Sequence, residues 1–259
     1  MISIVIRNKN EAESLESVLL ILNTLYYGQY NEIIVVDNQS IDGSVEIAKK
    51  YGCTIVTIED FTYGKAINLG IEHALHDCVL LLSSHAVPVG NYFFKSFYEA
   101  FQSNPKIAGI RFINSYRNYK RAIANDFIIK DGIKHGLMAA CAVVNKKVWN
   151  EIKFDETLVF SEDKDWSKKV MDTGYVILDC NETFYYFSKI TTKQSLKRYE
   201  NEMLADYQIS NKKFPSIFKI TGSLFYKIAI KNTVDYFKTL KKDFSLFFIK
   251  LRIKRTLKK

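Results

Sequence analysis

Residues 2–82 alternate between short apolar runs of strand length and segments with one apolar helical face. That alternation restricts the possible folds more than any other feature of the chain. The runs are Ile2–Ile6, Glu32–Val36, Cys53–Ile58 and Val79–Leu82. Leu15, Val18, Leu19 and Leu22 mark one face of a helix over Glu13–Leu25. A second helix is expected to run from Ser44, as its N-cap, through Lys50. A third opens at Tyr63–Gly70 and reaches about Leu75. Strand and helix in strict succession predict a parallel, doubly wound sheet. Val79–Leu82 is apolar throughout, as a strand buried on both faces is. Ser83, Ser84 and His85 follow it, and Pro88 is expected to stop it.

The polar residues gather in the loops after the strands, at Arg7–Glu11, Asp37–Asp42 and Ser83–His85. In an open α/β sheet these loops share one edge, outside the carboxyl ends of the strands, where ligands bind. An aspartate directly after a strand, as Asp37 is, can accept hydrogen bonds from a ribose hydroxyl or a base N–H, which points to a nucleotide. No G-x-G-x-x-G or Walker loop is present, against a dinucleotide enzyme or an ATPase.

Further on, Gly136–Val144 reads as a strand beneath an acceptor site, and Trp149–Phe160 leads into Ser-Glu-Asp-Lys-Asp-Trp at 161–166. Trp166–Thr173 reads as a helix and Val176–Leu178 as the last strand of the body. Thr191 to about Lys213 reads as a helix, Phe214-Pro215-Ser216 breaks it, and 217–256 form one or two more. The chain is thus expected to comprise a body, 1–213, and a helical tail, 214–259.

Charge separates the same two parts. Residues 189–259 hold 18 basic and 5 acidic residues, a net of +13, whereas 1–188 carry −4. Such asymmetry points to an anionic partner of the tail. Phe237, Leu240, Phe244, Phe247, Phe248 and Leu251 form one helical stripe, with Lys238, Lys241, Lys242 and Lys250 mostly off it. A basic amphipathic helix of this kind suits an anionic membrane surface. Nucleic acid fits less well, because the hydrophobic residues make a stripe rather than stacking platforms. Packing of the stripe on the body or on a twin subunit is the other use for it. No uncharged run approaches the roughly 20 residues of a membrane span, and no basic segment precedes the first strand as in a signal peptide. The four cysteines, Cys53, Cys78, Cys141 and Cys180, are far apart and read as reduced thiols in a cytoplasmic protein. His73, His76 and His135 have no partner at metal-ligand spacing and read as ordinary surface or loop residues.

Four blocks in order, I-S-I-V-I-R-N-K-N-E-A, E-I-I-V-V-D-N-Q-S-I-D-G-S, F-T-Y-G-K-A-I-N-L-G and L-S-S-H-A-V-P, resemble the nucleotide-sugar half of the family 2 inverting glycosyltransferases. The rhamnosyltransferase-like subgroup is the one they resemble most. The Glu-Asp pair before Trp166, followed by Gly174-Tyr175, extends the resemblance over roughly residues 1–200. It implies a GT-A fold, a Rossmann-like, mixed but mainly parallel sheet flanked by helices, followed here by a basic helical extension. It also implies a nucleoside diphosphate sugar (UDP or dTDP) as donor and a glycan or lipid-linked acceptor, in surface polysaccharide biosynthesis. Such an enzyme would be cytoplasmic, or peripheral on the inner face of the cell membrane.

The resemblance makes Asp163 the general base, beside Glu162, at a helix start that favours an anionic side chain. It makes Asp37 the contact to the uracil or thymine ring. Arg7, Asn38, Ser40, Ser83 and Ser84 join it on the donor side, Asn10 and Glu11 line the nucleoside pocket, and Lys65 reaches a phosphate. The family holds a divalent metal, Mn²⁺ or Mg²⁺, on an Asp-x-Asp signature. Here the triplet is Ser83-Ser84-His85, which leaves His85 as the metal ligand. A family histidine expected near Tyr185–Ser188 is also replaced, by Phe-Tyr-Tyr-Phe-Ser. Metal-independent stabilisation of the leaving group by Lys65 and other cations is the alternative. From another class, the rival is a non-catalytic nucleotide- or nucleic-acid-binding protein on the same fold.

Overall fold

The computed structural model of the chain describes residues 1–187, 191–210 and 213–257, apart from the side chains at positions 194, 206, 208 and 210. Ser188, Asn211 and Lys212, which fall in regions read from the sequence, lie outside the described residues. Two compact units are formed, Met1–Ile209 and Ser210–Lys259.

The first unit begins with β1 (Ile2–Asn8), α1 (Ala12–Leu25), β2 (Glu32–Asp37), α2 (Ser44–Lys50), β3 (Thr54–Thr57), α3 (Tyr63–His73) and β4 (Cys78–Ser83). Their strands pair in parallel in the order β3-β2-β1-β4. Side chains alternate across a strand, and both sides of β1 are covered. Ile4 and Ile6 belong to the buried cluster of Leu15 and Leu19 on α1, whereas Val5 belongs to that of Ile67 and Ile71 on α3. Two covered faces explain why these strands read as unbroken apolar runs.

The chain continues with β5 (Ala86–Val89), α4 (Phe93–Gln102), β6 (Ile107–Phe112), α5 (Tyr116–Ala124), α6 (Gly132–His135), β7 (Cys141–Asn145), α7 (Lys146–Glu151), α8 (Glu162–Asp172), β8 (Val176–Cys180), β9 (Thr183–Tyr186) and α9 (Thr192–Ser210). The sheet extends from β4 through β7 and β6 to β8. Among the described residues β7 alone runs against the other six strands. The sheet is therefore mixed and mainly parallel.

Three local expectations are corrected. Pro88 does not end a strand; it lies within β5, which pairs antiparallel with β9 in a separate two-stranded ribbon, Pro88 opposite Phe184. A two-stranded ribbon is all edge, where proline is tolerated. Ser44 is not the cap of α2. Gly43, left-handed at φ 88°, takes that position, and the Ser44 hydroxyl donates to Asp42 Oδ1 at 2.6 Å. Of the Gly136–Val144 run, the strand starts at Cys141, and 136–140 form a loop whose importance appears at the site.

In the second unit α10 (Ile217–Tyr226) passes through a wider π-turn, Lys227–Lys231, into α11 (Asn232–Thr256). Ser216 caps α10 by accepting the Lys219 N–H. No residue of these helices is buried. At ~100° per residue, the stripe from Phe237 to Leu251 has company on the opposite side. Leu246, Ile249 and Ile253 fall there and are also exposed.

Candidate active site

A cavity of about 590 Å³ opens at the carboxyl ends of β1, β2 and β4. Arg7, Asn8, Lys9 and Glu11 enter it from the end of β1, Asn38 from β2, and Ser83, Ser84 and His85 from β4. Glu162 and Asp163 face them from the start of α8, across the loop residues Met138–Ala140. Three loops far apart in sequence meet because parallel strands end on the same edge.

Not every expected donor residue lines this cavity. Arg7, Glu11, Asn38, Ser83, Ser84 and His85 do; Asn10, Asp37, Ser40 and Lys65 do not. Asp37 is 2% exposed. Its oxygens accept from Asn8 Nδ2 at 3.1 Å and from the Ser40 N–H at 2.8 Å. Ser40 Oγ accepts in turn from Asn8 Nδ2 (3.2 Å) and from the Asn10 N–H (2.8 Å). Asp37 therefore ties the loops after β1 and β2 together, and each of its oxygens keeps a further lone pair. Lys65 is turned to Asp60, 3.7 Å away at the surface.

The Glu-Asp pair sits on a shaped loop. Ser161, just before it, is left-handed at φ 64°, a conformation that costs a non-glycine residue about 1 kcal/mol or more. Its carbonyl accepts the N–H groups of Lys164 and Asp165 at 3.1 and 3.0 Å and so begins the helix. Trp166 anchors this turn: fully buried, it stacks on Phe154 at 4.9 Å and donates its indole N–H to the Ile152 carbonyl. Asp163 Oδ2 accepts the Ala139 N–H at 2.9 Å. Among the described residues Oδ1 makes no hydrogen bond, and it belongs to a residue on the cavity wall.

Glu162, on the same wall, is only 5% exposed. Burial, and next the charge of Asp163, push its carboxyl up to about 7, against the pull of Arg7. Arg7 Nη1 lies 3.7 Å from Glu162 Oε1, and Nη2 donates to the Ala139 carbonyl at 2.7 Å. Lys164 Nζ donates to the carbonyls of Gly136 (2.9 Å) and Leu137 (2.5 Å), and Arg111 Nη1 to that of His135 (2.7 Å). Segment 135–140 is thus gripped through its backbone by four charged side chains. Ala139 and Ala140, at the end of that segment, line the cavity.

Several wall residues were not read as functional from the sequence. Phe61, Tyr63 and Phe160 form an edge-to-face chain, with centroids 5.2 and 5.8 Å apart. The Arg7 guanidinium lies 5.6 Å over Tyr63 and that of Arg198 6.0 Å over Phe160. Lys197, Arg198 and Asn201 reach the cavity from α9. Their spacing of one and three is the available signal, one face of a helix.

For a metal, the donors are few: among the described residues no three His, Cys, Asp or Glu side chains converge. His85 Nε2 lies 3.5 Å from Glu11 Oε1 at the cavity. A divalent ion that binds with a diphosphate needs only one or two protein ligands, the phosphates and water supplying the rest. An imidazole beside a carboxylate fits that requirement.

The profile of the family described as Glycosyl transferase family 2 matches residues 3–160. No curated protein matches the sequence significantly. Among solved structures the chain is similar to the mannosyltransferase PcManGT of Pyrobaculum calidifontis, solved with GDP-Man and Mn²⁺ (TM-score 0.63, 14% identity). The match covers 83% of this chain and 65% of that one, so the chain spans under two thirds of that relative. It is also similar to glucosyl-3-phosphoglycerate synthase of Mycobacterium tuberculosis, solved with Mn²⁺, UDP and glucosyl-3-phosphoglycerate (TM-score 0.61, 15% identity, 84% of this chain and 81% of that one). The same enzyme has been solved with Mg²⁺ and UDP (TM-score 0.62, 14% identity, 84% and 81%). Likenesses at this identity establish a shared fold, the GT-A fold.

Proposed function

The chain belongs to glycosyl transferase family 2, and from that premise we propose that it is an inverting glycosyltransferase. It moves a hexosyl or deoxyhexosyl group from UDP or dTDP onto a glycan or lipid-linked acceptor in surface polysaccharide biosynthesis. The observation that carries this reading is the placement of Asp163. Its carboxylate faces the strand-end residues across the cavity, with one oxygen held by Ala139 and the other without a hydrogen bond among the described residues. The nucleoside diphosphate sugars in the neighbouring structures, GDP-Man and UDP-Glc, support the donor class.

In this reading the nucleoside lies along the ends of β1 and β2, against Asn8, Glu11 and Asn38, with Asp37, Ser40 and Asn10 holding that wall. The diphosphate lies toward Ser83, Ser84 and His85, with Lys197 and Arg198 as nearby cations and Lys65 farther out. The acceptor hydroxyl approaches between Asp163 and the Tyr63–Phe160 wall. Its oxygen bonds to the anomeric carbon from the face opposite the diphosphate. The bond from that carbon to the diphosphate oxygen breaks, and Asp163 Oδ1 takes the hydroxyl proton. His85 would hold a divalent metal together with the diphosphate, and such an ion would supply charge stabilisation to the leaving group. The basic tail is proposed to rest on an anionic membrane at the inner face of the cell, where a lipid-linked acceptor would be.

Turnover of UDP- and dTDP-sugars, read as released nucleoside diphosphate, tests the reading. Asp163→Asn is expected to lower kcat by about 10²–10⁴ with little change in donor affinity, since a positioned base contributes that much. Full activity in Asp163→Asn would falsify the assignment of the base.

A further inference from the structure

Helix α5 turns its apolar face to solvent. Its inward side carries Ala122, its buried residue, and Arg121, whose Nη2 donates to the buried Asp179 Oδ1 at 2.7 Å. Tyr116, Tyr119 and Ile123, spaced by three and four, share the opposite side and are 78, 41 and 55% exposed. A helix that packs on a core does the reverse. An exposed apolar face beside charged residues marks a surface that a partner covers.

The charges on α5 identify that partner. At ~100° per residue, Lys120 falls on the exposed face and Arg117 at its margin, both exposed, with Lys120 Nζ 5.6 Å over the Tyr116 ring. The helix holds no carboxylate, and among the described residues neither cation has an ion pair. Asp126 and Asp131 only balance Lys130 and Lys134 in the segment that follows. Two tyrosines, an isoleucine and two unpaired cations suit an anionic lipid surface, where Tyr sits at headgroup level and Lys and Arg reach the phosphates. A second copy of the chain, docked through the same face, would set like charges against each other. The helix also adjoins the cavity. Asn118 Nδ2 donates to Asn114 Oδ1 at 2.8 Å, and Asn114 Nδ2 reaches Met138 Sδ at 3.7 Å. Met138 lines the cavity, and the next residue, Ala139, holds Asp163.

We propose that α5 is a membrane contact on the catalytic body itself, which turns the Met138–Asp163 side of the cavity toward anionic phospholipid; this rests on the lipid-linked acceptor of the reading above. Three apolar side chains orient a chain that the tail holds and are too few to anchor it alone. Tyr119→Trp in the full chain tests the contact, because Trp149 and Trp166 are both buried and give a constant background. With phosphatidylglycerol vesicles the new indole is expected to shift its emission to the blue and to be quenched by brominated acyl chains. Phosphatidylcholine vesicles leave it unchanged. Arg117→Gln and Lys120→Gln are each expected to weaken partitioning about fivefold, and Ile123→Ser to reduce the quenching, all with unchanged thermal melts. Protein that binds the vesicles with the new indole unshifted and unquenched overturns the proposal and leaves the transferase reading standing. A blue shift that grows with protein concentration without vesicles assigns the face to a second copy and overturns it as well. Released nucleoside diphosphate is read in the same samples. A quenched indole in a chain that turns over no donor supports the contact and overturns the transferase reading.

Discussion

Glu162 and Asp163 are adjacent in the chain and both border the cavity, yet Glu162 is buried and Asp163 half-buried. The first helical turn separates them by about 100°, and that turn is fixed by Ser161 before it and Trp166 after it. The buried member has a consequence for stability. Glu162 titrates near 7 in the folded chain against an ordinary 4.5, because burial and the Asp163 charge disfavour its anion. A raised pKa means that its contribution to stability is complete below pH 4.5 and is lost as pH rises through 7. Glu162→Gln stays neutral throughout. The wild type is therefore expected to lose about 2–3 kcal/mol relative to Glu162→Gln over that window. Thermal melts of both proteins at several pH values check this, and parallel curves would show that Arg7 compensates the charge fully.

At the scale of elements, the site depends on how closely helices approach the sheet. α3 crosses β1 and β2 at Gly70, where a Cβ would lie 2.3 Å from Val5 Cγ1 and 3.1 Å from Val36 Cγ2. Both valines are stiff at χ1 and cannot turn away cheaply. Gly70→Ala is expected to cost about 1–3 kcal/mol by overpacking, seen as a lower melting temperature by circular dichroism. An unchanged melt would mean that α3 has room to move out. The β5–β9 ribbon shows the reverse dependence. Its pairing carries Tyr186 and Phe187 from the far end of the body to the His85 ring, which no local pattern around Pro88 discloses.

The whole molecule divides a body with a buried apolar core from a second unit whose helices, among the described residues, bury none. No helix among the described residues is long and apolar enough to cross a membrane. Apolar side chains on more than one side of α11, with a strongly basic composition, favour contact with an anionic surface. The full chain is expected to float with phosphatidylserine-rich vesicles, less so at high salt, and a chain ending at Lys213 to remain in solution. Equal flotation of the two would remove the tail from membrane docking.

The sheet was legible in the sequence because a strand buried on both faces must be apolar at every position, and a helix that covers it must carry one apolar face. The polar strand ends were legible for the same reason: the chain can be polar there because the core stops there. Asp163 and His85 stood out by their place in recognisable blocks. Contacts between residues far apart in sequence were decided by tertiary structure alone. Pairing of β1 with β2 set the carboxylate of Asp37 against Asn8 and Ser40, and no feature of Asp-Asn-Gln-Ser discloses those two bonds. The meeting of Glu11 with His85 follows from parallel strands ending at one edge, and that of Arg7 with Glu162 from the packing of the start of α8 over that edge. Local patterning specifies each element, but distances across the cavity depend on how the elements pack.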